Sequence, residues 1–571
     1  MISKRVLGFC IGWLISTTPV FGASDVADAA MKGNKEAVRA LLQQKANVNA
    51  PQSDGTTALH WAVRSDDLET ADLLIRAGAN VSAANRDGAT PLLLASINGN
   101  AAMLERLIKA GADPNASLTK YGDTALMLAA RTGKTDAVKM LLEPIAGKPG
   151  AQVNAKETWG DTTALMWAVS ELHPAIVKML IDHGADVNAR SKFVPSTTGR
   201  GFEGTTPVAS KPDQTAEEHA SGLLTPLMFA AREGDVESAR LLVAAGADVN
   251  AVDGDGKDVL GLAIFNGNYE LASFLIDKQA KVNRADAQGF TPLFWATDRR
   301  NMETPPNFPW MVTTDPLPLI KKLLDAGANP NALVNNTPRA RMRDGSPRIV
   351  YATALMRAAF SGDLELVKLL VAHGADPHIV SKDNETTLMA AAGTGFINGY
   401  SKGRSAAERL EVVKLLVQLG EDVNAADNYG ITPLMVAANM GEMPIIQYLI
   451  DKGADLGAYD LGKKNDGAFG SSIEPLMPID YAIGVGTFVP NNAVIIHEDA
   501  VKLMSRLMQE RGIKHTTSEC TLRGFTCSGA NVDPKTATPA EIAKIRKIQT
   551  GYQVDGITGG LAVKDQDKPQ K

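Results

Sequence analysis

The sequence is poor in cysteine, with three in 571 residues, at Cys10, Cys520 and Cys527. So few thiols exclude a fold held by several disulfides, and Cys520 with Cys527 supplies only half a zinc site, which His515 nearby would still leave one ligand short. Long apolar runs are missing too. Beyond the first 23 residues no segment approaches the roughly 20 uninterrupted apolar residues that span a bilayer, so no stable membrane insertion is expected. Charge of one sign is also absent. Lys and Arg total 58 against 64 Asp and Glu, a formal net charge of −6. Such mild acidity gives no general support to binding nucleic acid or an anionic membrane.

Catalytic patterns are equally scarce. There is no phosphate-cradling loop ending in Gly-Lys-Ser/Thr and no Gly-x-Ser-x-Gly turn, and Gly484-Val485-Gly486 is too short to stand in for the first. His497-Glu498 lacks the second histidine, four residues after the first, that would put two zinc ligands on one helical face. Asp253, Asp255 and Asp258 suggest a calcium loop. However, Lys257 falls where a third oxygen ligand is needed, the glycine is misplaced, and Ile264 takes the place of the bidentate glutamate. No catalytic residue, metal site or cofactor is therefore assigned.

What the chain does have begins with a leader. Met1 to Ala23 carries Lys4 and Arg5, an apolar run from Val6 to Ile15, and small residues at Gly22 and Ala23, the pattern of a secretory signal peptide. Without Lys4 and Arg5 the net charge becomes −8. The chain is expected to be exported, periplasmic or secreted, in a bacterial host. In that setting Cys520 and Cys527 are expected to form a disulfide closing a terminal loop. Asn115, Asn335 and Asn384 head N-glycan triplets, relevant only to a eukaryotic secretory route.

The dominant signal is a repeat. In DGTTALHWAVRSDDLETADLLIRAGANVSAANR, from Asp54 to Arg86, Asp54-Gly55 is a tight-turn dipeptide and Thr57 caps a short helix beginning at Ala58. Asp66 and Asp67 offer a second cap. Leu68, Ala71, Leu74 and Ile75 then place an apolar stripe on one face of a second helix, which Gly78 ends. The register returns at Thr90, Thr124, Thr163, Thr225, Thr291, Thr353 and Thr432, with weaker copies at Asp258, Thr386 and Met477. Gly-Ala-Asp-x-Asn endings recur from Gly111, Gly184 and Gly246. The pattern resembles the ankyrin repeat, which implies an all-α solenoid of about twelve stacked helix-turn-helix units.

Residues 24–49 lack the Thr-Pro-Leu opening and are taken as a capping pair, the first unit of an array that extends to residue 529. Irregular steps between copies place insertions near 190–222, 298–318, 333–351, 393–408 and 457–475, and the cysteine loop at 520–527 follows. Residues 530–571 are expected to form a short helix, with Ile542, Ile545 and Ile548 on one face, and a mobile charged tail.

The resemblance also implies a site: turn tips and exposed first-helix surfaces that line a groove binding other proteins. The matching tip positions are Ser53 and Asp54, Arg86 and Asp87, Lys120 and Tyr121, Thr158 and Trp159, and Asn428 and Tyr429. First-helix ends add Arg64, Ile97, Arg131, Arg232, Phe265 and Phe360. Tyr121, Arg131, Trp159 and Tyr429 are preferred because Tyr, Trp and Arg most often anchor interfaces. Trp61, Trp167 and Trp295 share one motif slot and are expected to pack between helices, and His60 is expected to bond backbone between repeats. Arg339, Arg341, Arg343 and Arg348 form the one local basic cluster. The function this implies is a noncatalytic, exported, protein-binding scaffold. The alternative is an accessory or chaperone-like subunit of an exported redox or hydrolytic enzyme.

Overall fold

The computed structural model describes residues 24–117, 121–144, 147, 149–193, 222–287, 289–302, 314–334, 353–393, 404–461, 475–483, 497–515, 552–554 and 561–563. The chain divides into two compact units. The first holds the described residues up to Phe193 with 222–230 and 237–247; the second holds 231–236 and the chain from Asp248 onward.

Helices come in pairs. The first unit contains α1 (Asp25–Met31), α2 (Lys35–Gln43), α3 (Ala58–Arg64), α4 (Leu68–Arg76), α5 (Pro91–Asn98), α6 (Ala101–Lys109), α7 (Ala125–Arg131), α8 (Thr135–Leu142), α9 (Ala164–Ser170) and α10 (Pro174–Asp182), plus most of α11 (Pro226–Glu233) and α12 (Val236–Ala244). The second contains α13 (Val259–Phe265), α14 (Tyr269–Asp277), α15 (Pro292–Asn301), α16 (Leu317–Asp325), α17 (Ala354–Phe360), α18 (Leu364–Ala372), α19 (Thr387–Ala392), α20 (Ala406–Gln418), α21 (Pro433–Met440), α22 (Met443–Asp451), α23 (Pro478–Ile483) and α24 (Glu498–Arg511). Within each unit first helices pack on the next first helices and second on second, as in α3 on α5 and α14 on α16. This is an all-α solenoid of stacked helix pairs, twelve among the described residues. A short antiparallel ladder, β1 (Tyr552–Val554) with β2 (Leu561–Val563), lies in the segment read as helix and tail. The helix expected around Ile542–Ile548 and the Cys520–Cys527 loop lie outside the described residues.

Helices of seven to nine residues such as α3 and α4 are too short to persist alone, so packing holds them. Leu59, Val63, Ala71 and Leu74 of one pair are buried, following the spacing read from the sequence. Threonine opens most first helices, its Oγ1 accepting the N–H three residues on, as at Thr90 from Leu93 (3.2 Å) and Thr353 from Met356 (3.2 Å). The reciprocal contact varies. At Thr57 the N–H is taken by His60 Nδ1 at 3.1 Å, which leaves Nε2–H to donate to Ala89 O at 2.9 Å in the next repeat. At Thr124, Thr225 and Thr386 a methionine sulfur, from Met127, Met228 and Met389, accepts the same N–H at 3.4–3.5 Å. At Met477 the acceptor is Asp480 Oδ2, at 2.8 Å.

Two insertions are shorter than their composition suggests. Asp298–Asn301, read as loop, continues α15, because Thr297, Arg300 and Asn301 are buried there. Ala406–Glu408, also read as loop, opens α20, with Ser405 and Glu408 forming a reciprocal capping box. The insertion near 190–222 is rooted in a turn: Ser191 N–H donates to Leu224 O at 3.0 Å and Leu224 N–H to Ser191 Oγ at 2.9 Å.

Candidate protein-binding surface

The turn tips are joined through their main chains. Arg86 N–H donates to Asp54 O (2.8 Å), Thr158 N–H to Tyr121 O (2.7 Å) and Lys192 N–H to Gly160 O (2.7 Å) in the first unit. In the second, Ala287 donates to Asp255 (3.2 Å), Asn428 to Asp383 (2.9 Å) and Leu461 to Tyr429 (2.7 Å). The approach is close enough to require glycine. A Cβ on Gly430, whose φ is +78°, would stand 2.9 Å from Leu461 N. A second seam is made by asparagines at the helix-pair endings, among them Asn154 in Gly-Ala-Gln-Val-Asn and Asn424 in Gly-Glu-Asp-Val-Asn. Asn154 Nδ2 donates to Gly184 O at 3.0 Å while its Oδ1 accepts Asp186 N–H at 2.7 Å, and Asn424 bridges Gly453 and Asp455 likewise. Two glycan triplets are committed to these contacts. Asn115 Oδ1 accepts Gln152 N–H at 2.7 Å, and Asn384 Nδ2 donates to Asn428 Oδ1 at 2.8 Å.

With main chains committed, only tip side chains project. Tyr121 is 47% exposed, Trp159 77% and Tyr429 42%. Trp159 and Tyr429 are displayed on stiff turns. Glu157, almost buried, accepts the N–H groups of Trp159 (2.5 Å), Gly160 (2.8 Å) and Thr162 (3.0 Å) and the Thr162 hydroxyl (2.8 Å). Burial pushes this carboxyl up, but the bonds outweigh it and hold it below the usual range. Asp427 likewise accepts Tyr429 and Ile431 N–H at 2.8 Å each. The sequence reading missed Phe193. It follows Lys192 as Trp159 follows Thr158, so Tyr121, Trp159 and Phe193 are exposed rings on three successive tips, although Thr158 donates to Tyr121 itself and Lys192 to Gly160, one residue past Trp159. The Lys192 bond lies beside the pairing of Ser191 with Leu224, which sequence spacing does not reveal.

The first-helix ends are mixed. Arg64 lies over the Trp61 ring at 5.3 Å, and Arg131 over Trp167 of the next repeat at 4.5 Å with Glu171 3.7 Å away. Trp61 and Trp167 are half-buried, so the expectation of full packing between helices holds only for Trp295, at 4% exposed. Trp61 Nε1–H donates to Gln52 at 2.8 Å and Trp295 Nε1–H to Asp286 at 3.1 Å. Arg232 donates to Glu233 at 2.7 Å, and Arg86 reaches Ser53 O at 2.9 Å, so both are partly engaged with their own surface. Phe360, read as an exposed helix end, is 2% exposed and packs with Met356 and Ala390. The cluster Arg339, Arg341, Arg343 and Arg348 lies outside the described residues.

A buried charge network in the second unit also escaped the sequence. Arg300 donates to Asp363 at 2.7 Å, to Glu365 at 2.9 Å and to Asp315, and Arg404 reaches the same Asp363 at 3.0 Å. Arg357 pairs with Asp298 at 2.8 Å. Asp363, 2% exposed, also accepts Leu366 N–H to open α18. Burial lowers Arg300's proton affinity, but bonds from Asp315 and Asp363 outweigh it and keep the guanidinium charged. This is structural pairing, with no nucleophile beside a base. Among the described residues no three His, Cys, Asp or Glu side chains are grouped to hold a metal ion. Nor is any described helix long and apolar enough to cross a membrane. The histidines act as caps, His183 and His373 each contacting through Nδ1 the carbonyl four residues back at 2.8 Å.

Stacked helix pairs with laddered main chains and projecting tip side chains define a tandem-repeat scaffold. The family can be stated: the chain belongs to the ankyrin repeats, whose three-copy family model, Ankyrin repeats (3 copies), matches residues 26–118, 92–191, 225–304, 311–402 and 355–460. It is 28% identical over 233 residues to the Transient receptor potential cation channel subfamily A member 1 homolog of Caenorhabditis elegans, covering 39% of this chain but only 16% of that protein's length. It is 26% identical over 194 residues to the Putative ankyrin repeat protein YahD of Escherichia coli K12, covering 30% of this chain and 89% of that one. The solved human ASB11 ankyrin repeat domain aligns at 24% identity and TM-score 0.35, over 45% of this chain and 99% of that one. Ankyrin repeats are typically a noncatalytic fold that binds other proteins.

Proposed function

We propose that this protein is an exported, noncatalytic scaffold that holds a partner protein against its turn tips, with the row Tyr121, Trp159 and Phe193 as principal anchor. The observation that carries the reading is the exposure of these three rings on successive turns whose main chains are bonded. Rings on stiff turns bury apolar area in a partner at little cost in their own freedom. Arg64 and Arg131, stacked on indoles, add oriented donors on the first-helix face. Export is supported by the pattern of Met1–Ala23.

The test installs a photo-crosslinker at position 159 of the full chain in its native host, identifies the captured protein, and measures its binding. Trp159→Ser should weaken binding at least about thirtyfold, as for an interface hot spot. Leu172→Ser, at a residue 54% exposed away from the row, should leave it unchanged. Equal effects of the two substitutions would refute the site. Recovery of the chain in the cytosolic fraction with Met1–Ala23 still attached would refute export.

A further inference from the structure

Asp258 occupies the helix-opening position that threonine holds at α3, α5, α7, α9, α15, α17, α19 and α21. Threonine puts one oxygen and one methyl there; aspartate puts two oxygens. Oδ1 accepts Gly261 N–H at 2.7 Å. Oδ2 is buried without a hydrogen-bond partner, and the residue is 4% exposed. The main chain at Asp258 is held as well, by a bridge to Val252 and by its carbonyl, which accepts Leu262 N–H at 2.9 Å. With one oxygen unsolvated, the ionised carboxylate is more costly there than the neutral acid.

The charged groups around it do not cancel that cost. Asp253, from the same turn, and Asp286, from the next tip, disfavour its charge, while Arg284 favours it. Asp253 Oδ1 is spent on Asp255 and Lys257 N–H, and Asp286 on Phe290 N–H and Trp295 Nε1–H. The Lys257 ammonium lies over Phe265 at 4.5 Å and Trp295 at 5.3 Å.

We propose that the turn and helix opened by Asp258 are a proton-controlled element, firmly closed when Asp258 is neutral and loosened when it is charged, so that openings that lift Lys257 from the Phe265–Trp295 pair become more frequent as pH rises to neutral. Burial first, then Asp286 and Asp253, push this carboxyl from 3.8 up to about 6, against the bond from Gly261 and the charge of Arg284. The folded form therefore holds a proton that the open form releases. Closure is firmest below the open-form value and is lost as pH rises through the folded one. Between those two values the opening equilibrium changes about tenfold for each step of one in pH, and about a hundredfold in all.

The test is hydrogen exchange of the full chain between acid and neutral pH, corrected for intrinsic chemistry. It compares the amides of Leu262–Ile264 in α13 with those of Val436–Ala438 in α21, which Thr432 opens. Protection in α13 should fall by up to about a hundredfold relative to α21 on going to neutral pH, and Asp258→Thr should abolish the difference. Should that variant not fold, Asp258→Asn serves, since it keeps the acceptor for Gly261 and removes the charge. A wild-type ratio that does not change with pH overturns the proposal, as does a pH-dependent ratio that persists in the uncharged variant.

Discussion

His60 and Asp258 show how one side chain in a repeated frame sets a local response to acid. His60 uses both ring nitrogens, one to accept Thr57 N–H and one to donate to Ala89 O, a pattern only the neutral ring can make. Burial lowers its proton affinity from the usual 6.5, and the Ala89 carbonyl offsets this only in part. A lowered imidazole value means the unfolded chain binds the proton first, so the contribution is present above 6.5 and is lost as pH falls through the folded value. His60→Met, which copies the residue at Met127, should remove this acid sensitivity. Urea melts of the two proteins should therefore diverge only on the acid side. Asparagine is a second residue-scale device. Asn154→Ala removes two hydrogen bonds across one joint and should cost about 1–2 kcal/mol by chemical denaturation.

At the scale of elements, the repeat frame was legible because its signals are local. The threonine caps, the helix-ending glycines and the apolar stripes each lie within a few residues, and α3 and α4 begin and end where Asp54–Arg86 implies. The charge network was not legible, since Arg300 and Asp363 are 63 residues apart with insertions between them. In sequence, Arg300 therefore reads as part of a polar loop. Phe193 was missed for the same reason: its tip lies beside the pairing of Ser191 with Leu224, across a 33-residue separation. Asp363→Ala should cost about 3–5 kcal/mol, because it removes the buried carboxylate that Arg300 and Arg404 share. Asp315→Ala, at a position 58% exposed, should cost about 1 kcal/mol or less. Paired denaturation curves measure both, and a similar cost for the two would show that Asp363 is not the centre of the network.

At the scale of the molecule, each unit is held by two seams that use main-chain atoms and, at most joints, one asparagine. Neither seam uses the side chains of Tyr121 and Tyr429, whose carbonyls carry the ladder, or that of Trp159 beside Gly160. Residues that decide whether the chain folds are thus different from residues that decide what it holds. Substitutions at the tips can be sampled at almost no cost in stability, so recognition is free to drift or be retargeted while the frame stays put. Chains carrying this frame should therefore diverge first at the tips, and a library randomised at positions 121, 159 and 429 should yield mostly folded proteins with altered partners.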